Sequence, residues 1–252
     1  MRLVRYGARG AERPGLLDAA GVVRDLSGQI ADVAGEALLP ETLARIAAQD
    51  PGRLPPVPGV AQADHAAESG LPVPPEPIIF GKWTSAISGP DDDVLLPRGS
   101  VKTDWEVELG VVIGRGGSYI EEADALSHVA GYCVVNDISE REFQIERSGT
   151  WDKGKGCDTF GPLGPWLVTP EELEDTGSLA MWLDVNGERM QSGSTATMVY
   201  KVPFLVAYVS RFMSLHPGDV IATGTPPGVG MGRKPPRFLR PGDVMRLSVE
   251  GL

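Results

Sequence analysis

Two acidic residues stand beside an apolar run in the middle of the chain. Glu106 and Glu108 lie two positions apart, and residues 109–113 that follow them are apolar enough to require burial. On a β-strand, side chains two positions apart point to the same face, so both carboxylates would emerge together beside a core. Two such charges raise each other's pKa unless a cation compensates them, and Mg²⁺ prefers carboxylate oxygens. The spacing therefore makes this pair a candidate for binding a divalent metal ion.

Asp137 is the third candidate ligand. It follows the apolar residues 132–135 and comes directly before a predicted helix, and strand ends commonly carry functional side chains. The alternative interpretation is a solvent-facing strand with an aspartate that caps the next helix. The spacing of the three acids alone leaves both interpretations open.

Lys155 lies between two glycines, Gly154 and Gly156. Glycine lets the backbone approach a ligand closely, so the ammonium could face a developing negative charge, although an exposed surface lysine is the simpler interpretation. Nearby Cys157 could be activated by a cation, but no histidine in this segment could act as its base, so a nucleophilic thiol is disfavoured. The chain has only one other cysteine, Cys133, and we expect both thiols to be reduced.

The elements that must position these residues are mostly strands. Helical periodicity is confined to short pieces and does not alternate regularly with the strands, so the pattern predicts a mixed α+β, β-rich sheet or roll instead of a Rossmann fold. Asn186 and Gly187 predict a tight hairpin turn. Strands are predicted at residues 77–83, 105–114, 132–138, 165–169, 179–191, 219–225 and 243–250, and helices at 121–129, 139–147 and 202–213.

The first fifty residues read as a separate small unit. A strand is predicted over residues 1–6, a hairpin around Ala20 and Gly21, and a helix over 41–48. Prolines then recur between residues 51 and 58, where they disfavour helix and central strand. We therefore predict a small N-terminal domain over residues 1–55 and a larger domain, which carries the acidic candidates, over 56–252.

Composition excludes several classes of partner. The formal net charge of −11, from 23 basic and 34 acidic residues, disfavours nucleic acid. No apolar run approaches the roughly 20 residues that span a bilayer, and the first ten residues do not resemble a secretory signal. We expect a cytoplasmic protein without a membrane partner.

Several sequence blocks together resemble the fumarylacetoacetate hydrolase family. The resemblance extends from about Val57 to Asp243 and implies that family's β-roll fold, with a small N-terminal domain, and a homodimer. The blocks occur in the family's order and comprise residues 104–109, 131–137, 154–155, 161–165 and 223–226.

The resemblance also assigns roles to individual residues. It implies that Glu106, Glu108 and Asp137 bind Mg²⁺ or Mn²⁺, with Ca²⁺ also possible, and that Lys155 is the active-site lysine. Three further residues match positions that contact substrate in the family, and Thr225 among them matches a threonine that holds the substrate carboxylate. They are Arg141, Gln144 and Thr225.

His65 and Glu68 match a pair that activates water in hydrolases of this family. The two residues are three positions apart, so on a helical turn the Glu68 carboxylate could orient the His65 imidazole as a base. An exposed histidine beside a solvated glutamate is the alternative. Relatives often have Asn-Tyr shortly before the histidine, where this chain has Ala61 and Gln62, which leaves the substrate preference open.

The resemblance implies hydrolysis of a carbon–carbon bond in a small 2,4-dioxo acid, an acylpyruvate or a 2,4-diketo-3-deoxy sugar acid. A pyruvate-type enolate would leave, stabilised by the metal and Lys155. The same site could instead serve an oxaloacetate decarboxylase or tautomerase, a hydroxymuconate isomerase or a ureidoglycolate lyase. A metal-binding dimer scaffold without activity is the remaining alternative.

Overall fold

The computed structural model describes residues 1–7, 11–19, 22–57 and 76–252, and within them the protein is strand-rich with few helices. This confirms the predicted mixed α+β, β-rich class. The helices are α1 (Pro40–Ala47), α2 (Asp152–Lys155) and α3 (Val202–Val209). The strands are β1 (Arg2–Tyr6), β2 (Arg13–Leu17), β3 (Val23–Asp25), β4 (Pro56–Val57), β5 (Ile87–Ser88), β6 (Thr103–Asp104), β7 (Val107–Ile113), β8 (Val129–Asn136), β9 (Ser139–Glu140), β10 (Gly161–Val168), β11 (Ala180–Val185), β12 (Glu188–Ser194), β13 (Val220–Ala222) and β14 (Met245–Val249).

The strands of the described ranges form one large sheet and two small ones. The large sheet has the order β13-β7-β8-β10-β1-β2-β3-β4, with β5 paired to β10. A three-stranded sheet has the order β12-β11-β14, and β6 pairs with β9. Strands β7 and β8 lie between β13 and β10 in the large sheet. They are antiparallel and place Val107 opposite Asn136.

Apolar side chains cover both faces of the β7–β8 pair. Leu109 and Val111 belong to one buried cluster, and Val112 belongs to a second cluster that includes Leu43 and Ile46 of α1. Because side chains alternate along a strand, a chain packed on both sides needs apolar residues at nearly every position. The continuous apolar sequence of β7 follows from this, and Glu108 is the exception within it.

The N-terminal strands continue the large sheet, because β1 pairs antiparallel with β10, with Arg2 opposite Val168. The predicted N-terminal strand and helix are confirmed as β1 and α1. Ala20 and Gly21 of the predicted hairpin lie outside the described residues, although the flanking strands β2 and β3 pair antiparallel. The division into domains at residue 55 stays a prediction.

The hairpin predicted at Asn186 and Gly187 is confirmed. These two residues have φ of 53° and 80° and join β11 to β12, with Val185 opposite Glu188. Positive φ at both central positions is the geometry that matches the twist of antiparallel strands, and Asn-Gly adopts it readily.

The strand predicted over residues 77–83 is wrong, since the chain is irregular there. The Gly81 N–H donates to the Asp152 carboxylate (2.8 Å), and the Lys82 ammonium donates to backbone carbonyls, so the segment is held by side chains and not by strand pairing. Pro77 supplies no N–H for a ladder.

The predicted helices are shorter than their periodicity suggested. Residues 139–147 begin instead as β9, which pairs with β6, and continue as a π-helix at Glu142–Glu146. Residues 121–129 contain only the 3₁₀ turn Ala125–His128. The helix predicted over 202–213 ends at Val209, where the Ser210 hydroxyl donates back to the Ala207 carbonyl.

Candidate metal and substrate site

The three acidic candidates meet at one end of the β7–β8 pair. Glu106 directly precedes β7, Glu108 is its second residue, and Asp137 directly follows β8. The Asp137 N–H donates to the Glu106 carbonyl (2.8 Å), so the ladder register holds the two backbones together. One carboxylate oxygen from each residue lies within 4.8 Å of the others, and all three side chains are buried. The alternative of a solvent-facing strand with a capping aspartate is therefore wrong.

Glu108 is the least compensated of the three. Its Oε2 accepts the Gly224 N–H (2.6 Å), and within the described part of the chain it forms no salt bridge. Burial raises the pKa of Glu108 well above its usual range, and the charges of Asp137 and Glu106 raise it further. A cation between the three carboxylates would remove this penalty.

Glu106 is held ionised by two basic groups. Its Oε1 lies 2.7 Å from Arg141 Nη2 and its Oε2 lies 2.7 Å from Lys155 Nζ. Burial would raise the pKa of Glu106, but the charges of Lys155 and Arg141 outweigh it and lower the pKa to about 2. The two basic groups therefore favour the anionic form of Glu106, which is the form that binds a cation.

Lys155 is buried inside the acidic cluster, so the interpretation as a surface lysine is wrong. Its Nζ donates to Glu106 Oε2 (2.7 Å) and Asp137 Oδ2 (2.5 Å). Burial disfavours the ammonium, but the charges of Glu106 and Asp137 outweigh this and raise the pKa of Lys155. The lysine is thus a fixed cation, and its Nζ lies 4.9 Å from the centre of the Phe80 ring.

The two glycines beside Lys155 let α2 pack closely on its neighbours. A Cβ on Gly154 would lie 2.4 Å from the Glu140 carbonyl oxygen and 2.6 Å from the Gln144 backbone nitrogen. A Cβ on Gly156 would lie 2.5 Å from the Trp83 ring. The two glycines are therefore required for close packing against protein groups, and the predicted approach to a ligand stays a prediction.

Arg141 and Gln144 form a buried network with the acidic cluster. Arg141 Nε donates to Asp104 Oδ2 (2.9 Å) and Nη1 donates to Gln144 Oε1 (3.1 Å). Asp104 Oδ1 also accepts the Gly230 N–H (2.6 Å). Arg141 is 4 % exposed, so in this structure its guanidinium serves Glu106 and Asp104. Its predicted contact with substrate stays a prediction.

Thr225 is fixed to the start of β7. Its hydroxyl donates to the Val107 carbonyl (2.9 Å) and accepts from Gln191 Nε2 (2.7 Å). With the neighbouring Gly224 N–H bound to Glu108, this loop lies against the acidic cluster. The predicted role of Thr225 in binding a substrate carboxylate stays a prediction.

The sequence analysis missed Lys82. Its Nζ lies 2.6 Å from Asp137 Oδ1, 2.5 Å from the Lys155 carbonyl and 3.1 Å from the Ile138 carbonyl. Burial lowers the pKa of Lys82, partly offset by the charge of Asp137. Phe80, two residues earlier, packs against Trp151 with ring centres 5.7 Å apart. Its place beside the acidic cluster becomes visible only in the tertiary structure, where the side chain is largely buried against Asp137.

Two predicted residues lie outside the described residues, His65 and Glu68. Their roles stay predictions. Of the cysteines, Cys133 is buried, and burial raises its pKa to about 12. Cys157 is half-buried, and burial also raises its pKa, which agrees with our rejection of a nucleophilic thiol.

The donor set suits a hard divalent cation. Glu106, Glu108 and Asp137 offer only oxygen ligands, which Mg²⁺, Mn²⁺ and Ca²⁺ accept. The groups of the triad and its ion pairs include one more carboxylate than basic side chains. The carboxylates are Asp104, Glu106, Glu108 and Asp137, and the basic groups are Lys82, Arg141 and Lys155. These residues therefore fit a bound divalent ion on charge as well as on ligand type.

Comparison with known proteins gives the class to which this fold and site belong. Residues 57–252 match the family model described as fumarylacetoacetate (FAA) hydrolase, C-terminal. A protein of Burkholderia cenocepacia (strain HI2424), which its name calls a hydrolase only provisionally, is 58% identical over 271 aligned positions that cover 100% of this chain and 96% of that protein.

Among the solved structures that resemble the chain over its whole length are a hydrolase and an isomerase. The fumarylacetoacetate hydrolase of Exiguobacterium antarcticum has a TM-score of 0.84 and 33% identity, covering 100% of this chain and 96% of that one. The 2-hydroxyhepta-2,4-diene-1,7-dioate isomerase of Mycobacterium marinum has a TM-score of 0.72 and 30% identity, covering 100% and 95%. The chain belongs to the fumarylacetoacetate hydrolase family, an enzyme family with hydrolase and isomerase members.

No helix in the described ranges is both long and apolar enough to cross a membrane.

Proposed function

We propose that this protein catalyses the metal-dependent hydrolysis of a carbon–carbon bond in a small 2,4-dioxo acid, an acylpyruvate or a 2,4-diketo-3-deoxy sugar acid. The products are pyruvate or a related 2-oxo acid and a second carboxylic acid. The observation that carries the proposal is the buried triad Glu106, Glu108 and Asp137 with the Lys155 ammonium inside it.

Lys155 has one N–H to spare for a substrate. An ammonium has three donors, and Lys155 spends two of them on Glu106 and Asp137. The third can donate to the oxygen on which enolate charge develops as the carbon–carbon bond breaks. A preorganised donor in a buried site stabilises such a charge far more than water does.

A divalent ion held by the triad, Mg²⁺ or Mn²⁺, would supply Lewis-acid polarisation of the 2-oxo acid. The protein groups position the ligands, exclude water and supply the general base. Arg141 keeps Glu106 and Gln144 in place through its bonds to both. Phe80 covers the Lys155 ammonium and limits access of water to it. The general base that activates the attacking water is proposed to be His65, oriented by Glu68.

The charge of the site supports an anionic substrate. One carboxylate in the cluster is left without a basic counterpart, so a bound divalent ion would change the local charge from negative to positive. A 2-oxo acid with a single carboxylate would then restore neutrality. A buried site favours that outcome because unpaired charge in a low-dielectric environment is costly.

An isomerase is the second candidate function. The likeness to the isomerase of Mycobacterium marinum over the whole chain favours it. Tautomerisation or isomerisation uses the same enolate stabilisation by Lys155 and needs no attacking water. Oxaloacetate decarboxylation also forms an enolate and needs no attacking water. Ureidoglycolate cleavage releases urea by breaking a carbon–nitrogen bond and likewise needs no attacking water.

The test is release of pyruvate from acylpyruvates and diketo-deoxy sugar acids, with and without Mg²⁺, for the wild type, His65→Ala and a control. His216→Ala is the control because His216 is an exposed turn residue outside the site. Metal-dependent release that His65→Ala abolishes and His216→Ala preserves supports the hydrolase.

Oxaloacetate serves as the comparison substrate. Turnover of oxaloacetate alone, indifferent to His65→Ala, would assign the site to decarboxylation or tautomerisation. Absence of turnover with any 2-oxo acid in Mg²⁺ or Mn²⁺ would favour a scaffold without activity. We also propose, from the family resemblance, that the chain acts as a homodimer.

A further inference from the structure

Lys82 is the second ammonium at the acidic cluster, and the irregular segment before β5 delivers it. Its side chain is 16% exposed. Three oxygens from three different residues surround its Nζ: Asp137 Oδ1, the Ile138 carbonyl and the Lys155 carbonyl. The neighbouring Gly81 N–H donates to Asp152, the first residue of α2, so the backbone that carries Lys82 is tied to α2 as well.

The surroundings of the two ammonium groups differ. Lys82 donates hydrogen bonds to the Ile138 and Lys155 carbonyls and forms an ion pair with Asp137 Oδ1 (2.6 Å), so protein oxygens already enclose its ammonium. Lys155 spends two donors on carboxylates and keeps one. Lys82 therefore acts through other residues, while Lys155 can touch the reacting atoms.

The partners of Lys82 are the parts of the site whose relative position matters most. Its ammonium holds Oδ1 of Asp137, and the Lys155 ammonium holds Oδ2 of the same carboxylate. Lys82 also holds the backbone carbonyl of Lys155 itself. One ammonium thus fixes both the orientation of a metal-ligand carboxylate and the backbone of the active-site lysine.

We propose that Lys82 is a positioning residue that sets Asp137 and Lys155 relative to each other, and that it does so at a cost in metal affinity. This inference rests on the proposed function of the triad. The cost arises because Lys82 contacts a ligand of the ion, so its positive charge repels the ion across a short, buried distance. The benefit is a fixed geometry at the oxygen where the enolate forms.

The proposal predicts opposite changes in metal affinity and in turnover for Lys82→Met. Removing the charge is expected to lower the dissociation constant for Mn²⁺ roughly tenfold. Releasing Asp137 and the Lys155 backbone is expected to lower kcat by about tenfold or more, with a smaller change in KM. A purely structural role would weaken metal binding along with stability and could not tighten it.

Lys82→Arg and Lys201→Met complete the set. Arginine keeps the charge, so Mn²⁺ affinity should stay near that of the wild type. A planar guanidinium cannot approach the same three oxygens from one atom, so kcat should remain low. Lys201 is a matched control, since its ammonium also donates to two backbone carbonyls, those of Thr195 and Ala196, away from the site. Lys201→Met should leave both quantities unchanged.

The experiment is calorimetric titration of each full-length variant with Mn²⁺ alone, followed by kinetics with acetylpyruvate and with oxaloacetate. Tighter Mn²⁺ binding and lower kcat in Lys82→Met, with Lys201→Met unchanged, support the inference. Wild-type kcat in Lys82→Met, or weaker Mn²⁺ binding, overturns it. If Lys82→Met does not fold, wild-type kcat in Lys82→Arg overturns it instead.

The titration arm needs no turnover, so it separates this inference from the proposed function. A wild-type protein that binds Mn²⁺ but turns over neither acid refutes the proposed function. The Mn²⁺ affinity of Lys82→Met still shows whether the Lys82 ammonium weakens metal binding. An affinity equal to that of the wild type refutes this effect.

Discussion

Gly154→Ala tests whether close packing beneath Lys155 sets its position. The new Cβ would lie 2.4 Å from the Glu140 carbonyl oxygen and 2.6 Å from the backbone nitrogen and the Cβ of Gln144. These are mostly backbone atoms, of β9 and the π-helix, so they cannot rotate away. Relief requires α2 to move by roughly 1 Å, because ordinary contacts between such atoms are about 3.5 Å or longer.

The magnitude follows from two opposing effects. Replacing a helical glycine by alanine stabilises a helix by about 0.5–1 kcal/mol. Overpacking of a well-filled interior costs about 1–3 kcal/mol. The clash is the larger effect, so we expect a net loss of about 1–2 kcal/mol, which lowers Tm by roughly 2–8 °C for a chain of this size. A displacement of about 1 Å at Lys155 should lower kcat about 100-fold.

Gly156→Ala is the matched control on the other side of Lys155. Its Cβ would lie 2.5 Å from the Trp83 ring, and Trp83 is 57% exposed, so the indole can swing outward. The Cβ would also approach the Asp152 carbonyl oxygen, at 2.9 Å, which a small adjustment relieves. We expect a loss below about 1 kcal/mol and a smaller decrease in kcat.

Differential scanning calorimetry and steady-state kinetics of the two variants measure these differences. A Gly154→Ala protein with wild-type Tm and kcat would refute the reasoning, because the described contacts would then not constrain α2. Equal losses in both variants would show that the segment tolerates no Cβ on either side of the lysine, whatever the neighbouring atoms.

Four further predictions concern a metal ligand, the support of Arg141, the two thiols and the oligomeric state. Glu108→Gln should raise the dissociation constant for Mn²⁺ at least about tenfold, because it removes an anionic oxygen ligand; an unchanged calorimetric titration would contradict the ligand assignment. Asp104→Asn should lower kcat by about tenfold by loosening Arg141, since a neutral partner holds a guanidinium less strongly; kinetics at the wild-type rate would show that Arg141 needs no such support. Burial raises the pKa of Cys133 to about 12 from an ordinary 9.0, so the contribution of this thiol to stability is complete below pH 9 and is lost as pH rises from 9 to 12. The free energy of unfolding in urea should therefore fall more across that range for the wild type than for Cys133→Ala. At pH 8 a thiol reagent should label Cys157 but not Cys133 in the native protein. Light scattering should give twice the chain mass of 26.8 kDa if the proposed homodimer forms, and the mass of one chain would refute it.

The parts of the fold that the sequence predicts are those with a local signal. The turn at Asn186 and Gly187 needs positive φ, and few other dipeptides supply it as readily, so it is predictable from two residues. Strand β7 is predictable because a run buried on both faces is apolar at nearly every position. The beginning of residues 139–147 is not, because Ser139 and Glu140 pair with β6, and this tertiary pairing overrides helical periodicity.

The site shows the same division. Glu106 and Glu108 share a strand face, so their proximity follows from spacing. The approach of Asp137 depends on the β7–β8 register, which no local pattern specifies without the family resemblance. Lys82 has the sequence environment of an ordinary loop lysine, and its importance comes entirely from the carboxylate and carbonyls that other segments bring to it.

The charged groups of the site come from distant parts of the chain, and this has a consequence for folding. Pairing of β7 with β8 brings Glu106, Glu108 and Asp137 together, whereas Lys82 and Lys155 arrive from segments on either side of that pair. Until those lysines dock, carboxylates crowd one end of the ladder and repel each other. The opposite end, toward Ile113, carries no such charge and closes over a shorter stretch of chain. We therefore expect the ladder to form from the Ile113 end, and the end that carries the function to close last.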